Sequence, residues 1–226
     1  MKILMRLLIV FSLLMIAGFY VGCDEDDGTT TGPQPTTFTV TVENVSQEYP
    51  YLTSGVFDTP AGASQPGPIQ PGQAYEYTFY APPGSNMSFA TMFVLSNDLF
   101  YAPDGNGIPL FDAGNNPISG NVTNQVYLWD AGTEMNEEPG NGANQPPNQA
   151  GPNTGPADPD NTVRMVNDGF TYPAVDEVID VTVTHNGGNQ FTVRMENVSA
   201  NTDAAIETPL APGVYVTHSE PYPLFQ

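Results

Sequence analysis

Residues 74–80 have the sequence Ala-Tyr-Glu-Tyr-Thr-Phe-Tyr, in which aromatic side chains alternate with Glu76 and Thr78. A repeat of two is the period of a β-strand with one buried face. Residues 87–95, by contrast, are apolar almost without interruption, as in a central strand that is covered on both faces. The two stretches predict a sheet protein with a core rich in aromatic side chains.

Further strand patterns extend this prediction in both directions, at residues 38–45, 122–129, 163–166, 178–184 and 190–196. Outside the N-terminal segment, no window shows the 3.6-residue periodicity of an amphipathic helix. The 22 Gly and 23 Pro residues of the chain disfavour long helices and separate the strand patterns with turns. Seven or eight short strands of this kind predict one all-β domain, an antiparallel β-sandwich.

The charge balance is strongly acidic, with 25 Asp and Glu against 4 Lys and Arg in 226 residues, a formal net charge of -21. Such a chain has no basic face for nucleic acid or for an anionic bilayer. Lys2 and Arg6 lie at the N-terminus, so Arg164 and Arg194 are the only basic side chains of the remainder. We therefore expect few salt bridges.

The first 37 residues resemble an export and anchoring sequence. Residues 1–22 combine a basic start with an apolar run, as in a signal peptide. Cys23, the single cysteine, follows Gly22 as in the acylation motif of bacterial lipoproteins, although Tyr20 departs from the usual Leu; the alternative is an ordinary signal peptide with an unpaired thiol. Residues 23–37 are acidic and then rich in Thr, Gly and Pro, which predicts a tether. These features predict a lipid-anchored protein of the bacterial cell envelope, exposed at the outer membrane.

The chain after residue 37 contains an internal repeat. Residues 38–46, FTVTVENVS, match residues 191–199, FTVRMENVS, at seven of nine positions, and residues 52–57 resemble residues 210–215. We predict a sandwich domain over residues 38–190. Residues 191–226 are either a partial second copy or additional strands of the first domain.

Two of the predicted strands end in acidic motifs. The apolar strand that begins at Met87 ends in Ser-Asn-Asp-Leu-Phe, with Asp98 in the middle. The strand that begins at Val122 ends in Trp-Asp-Ala-Gly-Thr-Glu, which contains Asp130 and Glu134. Asn136–Asn161, which follow, have no large apolar side chain, and a loop of this length is either functional or disordered. Its prolines and Asn/Gln side chains also allow it to pack as an ordered, extended cover.

The order SNDLF, then DAGTE, then a long Pro/Asn-rich segment resembles the spondin N-terminal domain found in F-spondin and mindin and in secreted bacterial proteins. The resemblance covers residues 38–184. It implies a C2-like β-sandwich with a calcium ion at one end, bound by Asp98, Asp130 and Glu134. Glu134 stands where animal members have Asp, and the Pro/Gly-rich residues 58–72 stand where members carry an apolar helical insert.

The chemistry of the three acids is compatible with calcium, which takes several oxygen ligands. Three carboxylates that met without a cation would repel one another, and no lysine follows Lys2, so a divalent ion is the simplest remedy. The alternative is that these are three exposed acids of separate turns. We expect His185 and His218 to occupy turn or surface positions.

These observations lead to three functional hypotheses. The first is a non-enzymatic, calcium-stabilised adhesion or binding module for an extracellular protein or glycan. The second is a secreted glycan hydrolase that uses Asp98 and Asp130 as its paired acids, with Trp129 stacking on sugars. The third is a passive coat protein in which residues 191–226 pair with the sheet edge of another chain.

Overall fold

The computed structural model describes residues 39, 41, 51–201, 206–221 and 224–225. The predicted signal peptide, Cys23, the tether and the first predicted strand, residues 38–45, lie outside these residues, apart from Thr39 and Thr41, which are exposed. Contacts divide the chain into two units, Met1–Ser46 and Gln47–Gln226, and the second contains the sandwich.

The described residues form eleven strands and one four-residue helix. The strands are β1 (Tyr51–Phe57), β2 (Ala74–Tyr80), β3 (Asn86–Met92), β4 (Leu99–Pro103), β5 (Ile108–Pro109), β6 (Gly120–Asn121), β7 (Val126–Asp130), β8 (Arg164–Met165), β9 (Ile179–Gly187), β10 (Gln190–Asn197) and β11 (Gly213–His218). Helix α1 (Val175–Val178) precedes β9, and a 3₁₀ turn (Thr123–Gln125) precedes β7.

The strands form two antiparallel sheets, which confirms the predicted all-β sandwich. Sheet A has the order β1-β11-β3-β4-β7-β8, with β5 beside β3, and sheet B has the order β2-β10-β9-β6. Residues 191–226 therefore add strands to the sandwich, because β10 lies between β2 and β9 and β11 lies between β1 and β3.

The core fills the space between the sheets, and aromatic rings supply much of it. Strand β2 follows its alternating sequence closely, because Tyr75, Tyr77 and Phe79 are buried. The Tyr77 ring stacks on Phe57 at 5.1 Å and on Tyr215 at 4.5 Å between centroids, which joins the two sheets. Burying one such ring contributes about 1.5–3 kcal/mol.

One sequence expectation about the core is wrong. His218 lies in strand β11 and is fully buried instead of occupying a turn or the surface. Its Nδ1 lies 2.7 Å from the carbonyl oxygen of Glu220 and its Nε2 lies 2.9 Å from Ser88 Oγ. Both ring nitrogens have hydrogen-bond partners inside the protein, and these bonds offset the cost of burying the imidazole.

Candidate functional site

The structure brings Asp98 and Asp130 to the same end of sheet A. Asp98 immediately precedes β4 and Asp130 ends β7, and in the ladder between these strands Leu99 lies opposite Asp130. Asp98 Oδ2 accepts three hydrogen bonds from the turn after β7: from Thr133 N at 2.6 Å, from Thr133 Oγ1 at 2.6 Å and from Glu134 N at 3.1 Å. Asp98 thus fixes the conformation of the Asp-Ala-Gly-Thr-Glu turn.

Asp130 is enclosed within this turn, with 1% of its surface exposed. Its Oδ1 accepts a hydrogen bond of 2.7 Å from Gly132 N, and its Oδ2 accepts one of 2.8 Å from Asn136 Nδ2. A further partner is Arg164, whose Nη2 lies 2.7 Å from Asp130 Oδ2. The pairing of β7 with β8 explains this contact, because Arg164 lies opposite Asp130 in the ladder.

Arg164 also holds the segment before β8. Its Nη2 donates to Asp158 Oδ2 at 2.6 Å, and its Nη1 donates to the carbonyl oxygens of Asp160 at 2.7 Å and Thr162 at 3.0 Å. The sequence-based argument considered lysine as the neutralising side chain and overlooked Arg164, whose guanidinium lies against one of the carboxylates of the acidic motif. Arginine is suited to this role because its planar donors satisfy several oxygens at once.

The two aspartates that share Arg164 have opposite electrostatic environments. Burial raises the pKa of Asp130, the nearby carboxylate of Asp98 raises it further, and the Gly132 amide and Arg164 oppose the shift. Asp158 is different, because its hydrogen bond from Arg164 lowers the pKa of that carboxyl. Ionised Asp130 is thus held in the protein at a desolvation cost that Arg164 offsets only in part.

Glu134 is almost fully buried but is directed toward the long loop. Its Oε1 accepts a hydrogen bond of 2.6 Å from Gly155 N, and its backbone forms a bridge with Ala157. Among the described residues, no group of three His, Cys, Asp or Glu side chains lies close enough together to hold a metal ion. The structure thus places Asp98 and Asp130 at the same end of sheet A, whereas Glu134 is bonded to the long loop.

The two carboxylate oxygens of Asp98 differ in their hydrogen bonding. Its Oδ1 is buried and has no hydrogen-bond partner, a condition shared among the described side chains only by the hydroxyls of Tyr101 and Thr217. Asp98 also lines a cavity of about 330 Å³, together with Met92, Asn97, Gln149, Pro152 and Asn153. A buried carboxylate oxygen without a donor is costly, so this position favours a cationic or hydrogen-bond-donating ligand.

The sequence did not reveal the polar network that orders residues 136–161 over this end. Gln145 is 1% exposed, and its Nε2 donates to Asn97 Oδ1 at 3.1 Å while its Oε1 accepts from Gly140 N at 2.9 Å. Asn97 Oδ1 also accepts from Glu137 N at 3.0 Å, and Glu137 Oε2 accepts from Asn144 N at 2.8 Å. The long segment therefore packs as a cover over this end of the sandwich. The residue that holds it there is Asn97, which directly precedes Asp98 in the sequence.

No family model, no curated protein and no solved structure matches the chain. Within the described residues, none of the helices has the length and apolar character needed to cross a membrane.

Proposed function

We propose that the chain is a non-enzymatic binding module of the spondin-domain type, anchored to the outer membrane through Cys23 and exposed at the bacterial cell surface. Its binding end is formed by Asp98, the turn from Asp130 to Glu134 and the loop 136–161. The ligand is an extracellular protein or glycan, because the acidic chain disfavours nucleic acid. The single observation that carries this proposal is the unpartnered Asp98 Oδ1 beside a cavity at the loop-covered end.

The burial of Asp130 favours binding over glycan hydrolysis. A glycosidase needs two carboxyl groups that both reach the substrate, whereas Asp130 is 1% exposed and paired with Arg164. Trp129 is also engaged, since its Nε1 donates to the carbonyl oxygen of Ala102 at 3.1 Å and its ring packs on Phe225 at 5.0 Å. Asp130 is therefore not presented to a sugar, and Trp129 is held by contacts within the protein.

Calcium is part of this proposal, with Asp98 Oδ1 as its first ligand. Calcium takes six to eight oxygens from carboxylates, carbonyls and water, and Asp130 lies next to Asp98. Asp130 Oδ2 already contacts Arg164, so the guanidinium and a calcium ion compete for the same carboxylate. Oε1 of Glu134, the third predicted ligand, already accepts a hydrogen bond from Gly155 N. The bound ion would supply positive charge that ties the turn to the loop.

The competition gives a direct test by thermal unfolding of the purified chain in calcium and in chelator. With a Kd of about 0.1 mM and about 1 mM calcium, the stabilisation is roughly 1.4 kcal/mol, or about 3–6 °C in Tm. Asp98→Asn should abolish the shift. Arg164→Gln should enlarge it, because the competing cation is gone.

Arg194→Gln is the matched control, because the salt bridges of Arg194 within the described residues are to exposed or half-exposed glutamates, Glu76 and Glu196, on β2 and β10. It should leave the calcium shift unchanged. If neither the natural chain nor Arg164→Gln responds to calcium, the metal part of the proposal fails and Arg164 alone balances the acidic turn.

A further inference from the structure

The carboxylate of Asp98 has one oxygen left for a bound group. Its Oδ2 accepts hydrogen bonds from Thr133 N, Thr133 Oγ1 and Glu134 N, which use up the lone pairs of that atom. Its Oδ1 is buried and has no hydrogen-bond partner within the described part of the chain. A group that binds Asp98 without disturbing the turn therefore binds it through Oδ1.

The wall of the cavity beside Asp98 is partly amide and partly apolar. Gln149 and Asn153 line it with side-chain amides that form no hydrogen bond to another described residue, whereas the Asn97 amide is used in the loop network. Met92 and Pro152 add apolar surface. The cavity thus combines a negatively charged acceptor with two unused amides and an apolar side.

The size of the cavity suits one long side chain. Its volume of about 330 Å³ lies near the lower end of the approximately 300–1,000 Å³ found for ligand pockets. Asp98 is partly exposed as a residue, so a side chain that enters the cavity can reach its carboxylate. This volume favours a single side chain of a larger partner over an oligosaccharide.

Charge selects a cationic side chain. None of the residues that line the cavity is basic, and the whole chain has a formal net charge of -21. A concave site lined by one sign of charge raises the local concentration of groups of the opposite sign. We therefore expect the group at Asp98 Oδ1 to be positively charged.

The number of free oxygens distinguishes lysine from arginine. A guanidinium binds a carboxylate best through two parallel hydrogen bonds that use both oxygens, and Asp98 has only Oδ1 to offer. An ammonium group is a compact charge with three donors, so one donor can bind Oδ1 while the amide oxygens of Gln149 and Asn153 accept the others. The methylene stem of a lysine can pack along Met92 and Pro152, as such stems do on apolar surface.

We propose that this cavity binds a lysine side chain on the surface of an extracellular protein partner, with its ammonium group on Asp98 Oδ1. The inference rests on the proposed function, because it names the partner chemistry for the same end of the sandwich. Calcium and the ammonium group compete for one oxygen, so calcium weakens the binding of the lysine.

Nuclear magnetic resonance of the purified full chain, with carbon-13 in its methionine methyl groups, tests the proposal in the presence of chelator. The probe is Nα-acetyl-lysine N-methylamide, and the matched probes are the arginine and norleucine compounds, of which norleucine keeps the stem without the charge. Met92 lines the cavity and reports its occupation, whereas Met165, an exposed residue of β8, reports non-specific attraction.

We expect the lysine probe to shift the Met92 signal saturably and to leave Met165 unchanged. The norleucine probe should bind about tenfold more weakly or less, because it lacks the hydrogen bond to a charged group, and the arginine probe should also bind more weakly than lysine. Asp98→Asn should weaken the lysine probe by a similar factor. Asp176→Asn is the matched control, because it removes a carboxylate from an exposed position of α1, and it should leave the affinity unchanged.

Equal binding of the lysine and arginine probes, or equal effects of Asp98→Asn and Asp176→Asn, would overturn the proposal. If Asp98→Asn does not fold, Gln149→Ala decides, since an unchanged affinity in that variant also contradicts the assigned site. Calcium separates this inference from the proposed function. Calcium that raises Tm without displacing the probe would count against the lysine site alone, whereas lysine binding without any calcium shift would count against the metal alone.

Discussion

At the scale of single residues, the acidic turn is organised by one arginine. Arg164 contacts Asp130 and Asp158 with the same nitrogen. Burial nevertheless raises the pKa of Asp130, whereas the hydrogen bond from Arg164 lowers the pKa of Asp158.

The sequence predicted that Asp98, Asp130 and Glu134 would meet at one end of the domain. The structure places Asp98 and Asp130 at one end of sheet A, whereas Glu134 is hydrogen-bonded to Gly155 of the long loop. The sequence did not predict Arg164, since its position depends on the pairing of β8 with β7, and a two-residue strand has no periodicity to read.

The opposite pKa shifts predict opposite pH dependences. The raised pKa of Asp130 means that its contribution to stability is complete below the ordinary value of 3.8 and is lost as pH rises through the folded value. The lowered pKa of Asp158 means that its contribution is present above 3.8 and is lost as pH falls through the folded value.

Urea unfolding between about pH 3 and pH 7 measures both effects. Relative to the natural chain, the stability of Asp130→Asn should increase as pH rises, whereas that of Asp158→Asn should decrease. Parallel slopes for the two variants would show that Arg164 does not distinguish these carboxyls.

At the scale of elements, the contact between β1 and β11 depends on two glycines. A Cβ at Gly213 would collide with the Phe57 ring and with the carbonyl oxygen of Ala90 on β3, which is backbone and cannot turn away. A Cβ at Gly55 would lie 2.6 Å from the Tyr215 ring. The glycines are therefore required by close packing between strands.

Gly213→Ala should destabilise the protein by about 1–3 kcal/mol, since it forces either a ring or a backbone segment to move. Gly67→Ala is the control, because the space around Gly67 is open and its backbone is not left-handed. It should change the free energy of unfolding by no more than about 1 kcal/mol in either direction. Similar losses for both variants in urea unfolding would argue against the packing explanation.

The same elements show how far the sequence predicted the fold. Strands β2, β9 and β10 have clear alternation, and the structure confirms strands at these positions. In the sequence, β1 and β11 were recognisable only by their similarity to each other, because a glycine interrupts the apolar alternation in each. Their place in sheet A follows from a long-range pairing across the chain, which local periodicity does not contain.

At the scale of the whole molecule, both sheets depend on residues near the end of the sequence. Strand β10 lies inside sheet B and β11 lies inside sheet A, and together they contact β1, β2, β3 and β9. Their buried residues include Phe191, Val193, Met195 and Tyr215. The sequence left open whether these residues repeat the domain or complete it, and the ladders show that they complete it.

A chain that stops at residue 189 should therefore lack a cooperative unfolding transition and should be digested rapidly in limited proteolysis. A chain that stops at residue 220 retains all eleven strands and should unfold cooperatively. A cooperative transition in the shorter chain would mean that the remaining strands can close without β10 and β11.

The late position of β10 and β11 also sets the order of events during synthesis. A ribosome must complete residue 197 before β10 can enter sheet B and residue 218 before β11 can enter sheet A, so within the described strands β2 and β1 wait until then for their neighbours. Neither sheet of the sandwich can therefore be completed until most of the chain has been synthesised.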